Sequence, residues 1–267
     1  MSCFKPAPVN LPVVSNRQIA DSIWELVFTW NGSPVPPGTF VMVKPALAKD
    51  LPLGRPISVA DMADDGSTLT IIYRVVGVGT AALSQLTPGT EVTVLGPLGQ
   101  GFPLQIEGAE GDSADSRRAL LVGGGVGIPP LYLLGRRLKE LGWELSFQLG
   151  LRGEHEIFWA DKYADLGTVH WATDDGSAGT HGTVAQIVLP ETEAHPDAVH
   201  ACGPLPMLRH VKERWMDTCP TFVSVEQRMA CGVGACYACV IPNPQDPEHQ
   251  HRICYDGPVF AAAEVTL

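Results

Sequence analysis

The stretch RALLVGGGVGIPPLYLLGRRLKELG, residues 118–142, decides the architecture of this chain. Ala119 to Val122 form an apolar run of strand type, and Gly123-Gly124-Gly125-Val126-Gly127 make a glycine turn. Pro129 and Pro130 then open an amphipathic helix that ends at Gly142. A strand passing through glycines into a helix start gathers backbone amides and the positive end of the helix dipole, which together can hold a pyrophosphate. The dinucleotide fingerprint G-x-G-x-x-G, counted from Gly123, needs glycine where Ile128 stands, so the turn alone serves tight packing as readily as phosphate. The run is about membrane length, but its triple glycine and Pro-Pro pair mark a buried strand and helix start instead.

Downstream the rhythm repeats. WELSFQLGLR (143–152) and GTVHWATDD (167–175) read as strands, with a helix start at HEIFW (155–159) between them. DAVHACGPLPMLRHVKERWM (197–216) adds a strand, a turn and a helix. Strands alternating with helices predict a doubly wound parallel sheet, an α/β nucleotide domain over 118–220. DDGSAGTHG (174–182) supplies a second glycine-rich loop, and Cys202-Gly203-Pro204 a turn at the carboxyl edge where such sheets bind ligands; both favour phosphate contact. Glu154 and Glu156 follow the second strand at the distance of a ribose-binding acid, while nearby Arg152 would suit a 2′-phosphate. NAD is the preferred reading, although each glutamate taken singly reads as a solvated loop residue.

Upstream, residues 1–105 hold short β-type runs separated by Pro and Gly: IWELVFTW (23–30), TFVMVKPA (39–46), TLTIIYRVV (68–76) and EVTVLGPLG (91–99). Their alternation and close turns predict an N-terminal antiparallel β-barrel. The acidic, Gly- and Ser-rich IEGAEGDSADSRR (106–118) reads as an exposed linker. Within the barrel, Arg55 beside Pro56 can present its guanidinium to a phosphate, and Ser58 can donate to a ring nitrogen. Gly79 and Thr80 offer an amide and a hydroxyl. Most Arg and Ser on strands are surface residues, so these positions alone decide nothing.

The C-terminal segment, 221–267, carries CGVGACYAC…HRIC, with Cys231, Cys236, Cys239 and, after fourteen further residues, Cys254. C-x4-C-x2-C…C is the plant-type spacing for a 2Fe–2S cluster. Structural zinc favours two short cysteine pairs around a spacer, which this is not. Small residues (Gly232, Gly234, Ala235, Ala238) let amides approach inorganic sulfide. His249 and His251 could suggest a Rieske centre, but four cysteines already fill the ligand set, so both are expected in a surface loop. Glu226, just before the loop, is expected to be a surface carboxylate.

With 267 residues, 45% hydrophobic and 18% charged, the chain has the make-up of a globular protein of about two domains. A net charge of −11 disfavours nucleic acid. The N-terminus shows no apolar h-region, and Cys3, Cys202 and Cys219 are left over from the cluster, an odd number that suits reduced thiols in the cytoplasm.

The order of RPIS (55–58), YRVVGVGT (73–80), LGPLGQGF (95–102), GGGVGIPP (123–130), DDGSAGTHG, CGP and the cysteine series resembles the ferredoxin–NADP reductase superfamily. Within it the chain is similar to the electron-transfer subunits of NAD-dependent (class 1B) dihydroorotate dehydrogenases, over essentially its whole length. The resemblance implies FAD contacts from Arg55, Pro56, Ile57, Ser58, Ile72, Tyr73, Arg74, Gly79 and Thr80. It also implies cluster ligation by Cys231, Cys236, Cys239 and Cys254, and Cys202 beside the nicotinamide, while Gly123, Gly124, Gly125 and Gly127 are read as the nicotinamide-nucleotide site from their own strand–turn–helix setting. Many of these reductases have a tyrosine stacked on the flavin where this chain has Ile57, which leaves the stacking partner open. The implied partner is an FMN-containing catalytic subunit that oxidises dihydroorotate in pyrimidine biosynthesis, two of each chain forming a heterotetramer. No orotate site or (β/α)₈ repeat is visible here, so that step belongs to the partner. Electrons would then pass through the cluster and FAD to NAD⁺, with the spacer NPQDPEHQH (243–251) as part of the docking surface. The alternative is the flavin/iron–sulfur subunit of a ferredoxin:NADP oxidoreductase, sulfide dehydrogenase or hydrogenase complex.

Overall fold

The computed structural model describes residues 7–30, 34–46, 50–106 and 117–267. Cys3 and residues 107–116 of the expected linker lie outside them.

Six strands close the N-terminal barrel: β1 (Val9–Ala20), β2 (Ile23–Thr29), β3 (Phe40–Pro45), β4 (Arg55–Met62), β5 (Thr68–Arg74) and β6 (Glu91–Leu98). They run in the order β1-β2-β5-β4-β3-β6, all neighbours antiparallel. Period-2 alternation sorts each strand between two environments. On β5, Leu69, Ile71 and Tyr73 fill the barrel, whereas Ile72 packs outside it against the next domain. Arg74 therefore leaves the barrel on its outer face, and this places it in the site. The strand-like run read as far as Val76 ends at Arg74, and a short helix, α1 (Val78–Ser84), follows it.

The second domain begins with β7 (Arg117–Gly124), α2 (Pro130–Glu140), β8 (Trp143–Leu151), α3 (Ala160–Ala164), β9 (Thr168–Thr173) and the short β10 (Thr180–His181). β11 (Ala198–Cys202), α4 (Leu205–Trp215) and β12 (Thr221–Ser224) complete the alternation. The strand order β10-β9-β8-β7-β11-β12 is parallel throughout. Proline at the first helical position of α2 costs no hydrogen bond, because that amide has no intrahelical acceptor. Leu131, Leu134 and Leu138, spaced i, i+3, i+7, are all fully buried, each contributing roughly 1.5–3 kcal/mol. Leu133 turns the other way into the barrel core, so one helix serves both domains.

β12 and β15 (Val259–Ala261) both belong to this sheet, β15 as an antiparallel edge. A boundary at residue 221 thus falls inside the sheet, and the cysteine segment leaves it after Ser224 and returns at Val259. Between them a hairpin, β13 (Val240–Pro242) with β14 (Gln250–Arg252), carries the cysteine loop. Cys239, Cys254 and Ile253 share a core with Met42 and Leu98 of the barrel. Gln100 donates its backbone N–H to the Gly257 carbonyl at 2.6 Å, tying the LGPLGQGF loop to the C-terminal segment. No helix among the described residues is long and apolar enough to cross a membrane.

Candidate functional site

One cleft of about 910 Å³ runs between the barrel and the carboxyl ends of the parallel strands. The barrel contributes Arg55, Pro56, Ile57, Ser58, Ile72, Tyr73, Arg74 and Thr80; the sheet contributes Gly124, Gly125 and Gly127. Glu226, Met229 and Pro258 reach it from the cysteine segment. The strand order reverses between β7 and β11, and a crevice at that switch point is where an open α/β sheet takes its ligand.

Several expected contacts have particular geometry. The Arg55 guanidinium donates to the Leu53 carbonyl at 2.6 Å and lies so close over Gly79 that any side chain there would overlap it. Gly79 thus serves the cleft through Arg55 and does not line it. The Thr80 hydroxyl accepts the N–H of Val76 and Gly77 at 3.0 and 3.2 Å, holding the turn into α1. The Tyr73 ring points into the barrel, where its hydroxyl meets Asn16 Oδ1 at 3.2 Å and burial raises its pKa. Only the outer side of Tyr73 can meet a ligand.

Gly125 has φ +57°, a left-handed conformation that turns the chain into α2. Gly127 lies against the Cys202 carbonyl so tightly that a Cβ would overlap it. Gly123 faces Ile128, Leu131 and Leu149 in the core and does not line the cleft. Packing explains it, whereas the other three line the cleft. Cys202 is 1% exposed and absent from the lining, and burial pushes its thiol well above the ordinary range. Its thiol is covered, beside Ser224 and Glu226, which themselves line the cleft.

Glu156 departs from its solvated-loop reading. It is 3% exposed and forms a bidentate ion pair with Arg74, Nη1–Oε1 2.5 Å and Nη2–Oε2 2.8 Å, across the two domains. The pair holds the Glu156 carboxyl below its usual value and raises that of Arg74. Arg136 of α2 adds ion pairs to Asp61 and Asp64 of the barrel, and Trp159 Nε1 donates to Glu25 at 2.8 Å. Glu226 is exposed as expected, but it opens to the cleft, where desolvation raises its pKa. Met207 and His210 on α4 and Thr183 and Val184 after β10 also line the cleft. Nothing in their local pattern marks them beyond proximity to CGP and DDGSAGTHG.

The four cysteines fall into two pairs. Cys239 and Cys254, each 2% exposed, have their sulfurs 3.2 Å apart; Cys231 lies beside Cys236 at the surface. Two buried thiols in contact cannot both ionise without a cation between them, and burial with the neighbouring Cys239 pushes Cys254 up to about 12. Around Cys231, burial is outweighed by the amides of Val233, Cys236 and Ala235 together with the Cys236 side chain, which hold it at about 7. Among the described residues no three His, Cys, Asp or Glu side chains converge to hold a single ion. Two thiol pairs with amides aimed at sulfur fit a 2Fe–2S cluster, which takes two thiolates at each iron. His249 is an exposed loop residue paired with Asp246, while half-buried His251 bonds the Glu264 carbonyl; neither joins the cysteines.

Comparison with known proteins agrees with this geometry. Residues 226–266 match the model of the iron–sulfur cluster binding domain of dihydroorotate dehydrogenase B. The chain is 43% identical over 259 residues to the dihydroorotate dehydrogenase B (NAD⁺) electron transfer subunit of Listeria monocytogenes, covering 97% of this chain and 98% of that protein. It is 45% identical over 262 residues to the one of Geobacillus kaustophilus, with the same coverage. The solved structure of an NADH-dependent reduced ferredoxin–NADP oxidoreductase superposes with a TM-score of 0.77 at 26% identity, over 100% of this chain and 91% of that one. An Amycolatopsis cytochrome P450 reductase shares the fold alone, at 20% identity and TM-score 0.63 over 81% of this chain and 70% of that one. With relatives this similar along nearly their entire length, the chain belongs to the family of dihydroorotate dehydrogenase B (NAD⁺) electron transfer subunits.

Proposed function

We propose that this protein carries electrons from a dihydroorotate-oxidising, FMN-containing partner subunit to NAD⁺. The observation that carries the reading is the placement of the cysteine loop: it packs on Met42 and Leu98 of the barrel while its own flanks, Met229 and Pro258, line the shared cleft. Iron–sulfur, flavin and nicotinamide sites are thereby contiguous in one chain. When bound, the cluster supplies single-electron transfer, FAD exchanges electrons singly or in pairs, and NAD⁺ accepts a hydride.

The residues divide this work by position. Arg55, Pro56, Ile57 and Ser58 on β4, with Ile72, Tyr73 and Arg74 on β5, form the barrel wall that binds FAD. Gly79 and Thr80 hold α1 and Arg55 in place for it. Gly124, Gly125 and Gly127 bring backbone amides to the nicotinamide nucleotide at the head of α2. Cys231 and Cys236 face outward, where a partner can approach, while Cys239 and Cys254 are buried toward the barrel. The proposed assembly is a heterotetramer with two copies of each chain. Its proposed compartment is the cytoplasm, where the described cysteines, all free of disulfides, stay reduced.

Anaerobic purification with the partner tests this reading. Two irons, two sulfides and one FAD per chain, with NAD⁺ reduced at the expense of dihydroorotate, are the expected results. A complex that reduces NAD⁺ only with sulfide or hydrogen would refute it, as would colourless protein containing stoichiometric zinc.

A further inference from the structure

Arg252 ends β14 two residues before Cys254, and it is fixed from three sides. Asp256 takes its Nε and Nη2 at 3.0 Å each, and accepts the Arg252 backbone N–H at 2.8 Å. The rings of Tyr255 and Tyr237 flank the guanidinium at 4.3 and 5.5 Å. The free arm, Nη1, reaches the Gly234 carbonyl at 3.4 Å, a long hydrogen bond assisted by the full charge of its donor.

Gly234 is the residue whose N–H donates to Cys254 Sγ, at 3.1 Å. Its φ is +76°, and a Cβ there would sit 2.8 Å from Tyr255 Cβ. Tyr255 therefore walls Gly234 on one side while Arg252 holds its carbonyl. Hydrogen bonds to ligand sulfurs stabilise the added negative charge and so set the potential of an iron–sulfur centre.

We propose that Arg252, locked by Asp256, is a positioning residue of the cysteine centre: it holds Gly234 so that its N–H stays on Cys254 Sγ, which keeps the cluster's reduction potential up. The inference rests on the reading that the four cysteines hold a 2Fe–2S cluster. Bulk charge is not the device, since Arg252 and Asp256 neutralise each other at close range.

Potentiometric titration of the anaerobic holo-complex, followed by electron paramagnetic resonance, separates the two causes. Arg252→Gln and Asp256→Asn remove opposite charges but both release Gly234, so both are expected to lower the cluster midpoint and change its g-values, with Arg252→Lys shifting it less. Midpoints that move in opposite directions, as charge alone would dictate, overturn the proposal, as do unmoved midpoints in variants that retain full iron and sulfide. If Arg252→Gln cannot hold the cluster, Asp256→Asn and Arg252→Lys still give the direction. Iron and sulfide counts on the unsubstituted complex isolate the underlying reading: without two of each per chain, that reading fails and not merely the role of Arg252.

Discussion

Arg74, at the end of the fifth barrel strand, and Glu156, in the turn after the second strand of the parallel sheet, lock the two domains together through two parallel hydrogen bonds of 2.5 and 2.8 Å. Both side chains are mostly buried, with 14% and 4% exposure, and both line the cofactor cleft. The cleft is therefore held in shape by a charge pair inside its own wall.

Removing one partner leaves the other charged and buried. Glu156→Met is expected to cost about 3 kcal/mol in urea unfolding, and the double variant Arg74→Met/Glu156→Met to recover much of that loss. A double variant no more stable than the single one would show that the pair does not carry the contact. Because pairing depresses the Glu156 pKa, this contribution is present above the usual carboxylate range and fades as pH falls through the folded value.

His200 gives a second, separable pH dependence. It is fully buried on β11, stacked on Phe222 at 5.5 Å and edge-on to Phe102 at 5.4 Å, and burial lowers its pKa from 6.5 to about 3. Above pH 6.5 the ring is neutral in both folded and unfolded chains and adds no pH dependence. Below that the unfolded chain takes up a proton that the folded one refuses, so stability falls by up to about 1.4 kcal/mol per pH unit. Between pH 7 and pH 5, His200→Leu should lose about 2 kcal/mol less than the unsubstituted protein. Equal losses in denaturant midpoints would refute this.

Gly127→Ala pushes a methyl group into the Cys202 carbonyl, which belongs to backbone and cannot rotate away. An unfolding cost of about 1–3 kcal/mol is expected, with weakened NAD⁺ binding and normal FAD content, since the barrel wall is untouched. Nucleotide titration beside flavin quantitation reads both. Loss of FAD with NAD⁺ binding intact would reverse the assignment of the two ends of the cleft.

Chemistry confined to one loop was legible in the sequence. Cys231, Cys236 and Cys239 declare themselves by their spacing in one loop, and Cys254 joins them from beyond the β13–β14 hairpin. The glycine turn and the barrel runs were readable from local periodicity. The Arg74–Glu156 pair was not, since its partners are 82 positions apart and each has an ordinary reading alone. β12 and β15, with four and three residues, are too short for a period, and so the sheet's true edge was hidden. The burial of Cys202 was not legible either, because what covers a strand residue depends on a register that only the sheet supplies.

Electron passage through the cysteine centre can be isolated with Cys254→Ser in the anaerobic complex with its partner subunit, by following NAD⁺ reduction driven by dihydroorotate. The variant is expected to keep its FAD and to reduce dyes with NADH at the unsubstituted rate, yet to lose dihydroorotate-driven NADH formation. Formation of NADH from dihydroorotate at the unsubstituted rate, without an intact cluster, would contradict the route from partner through cysteines to flavin.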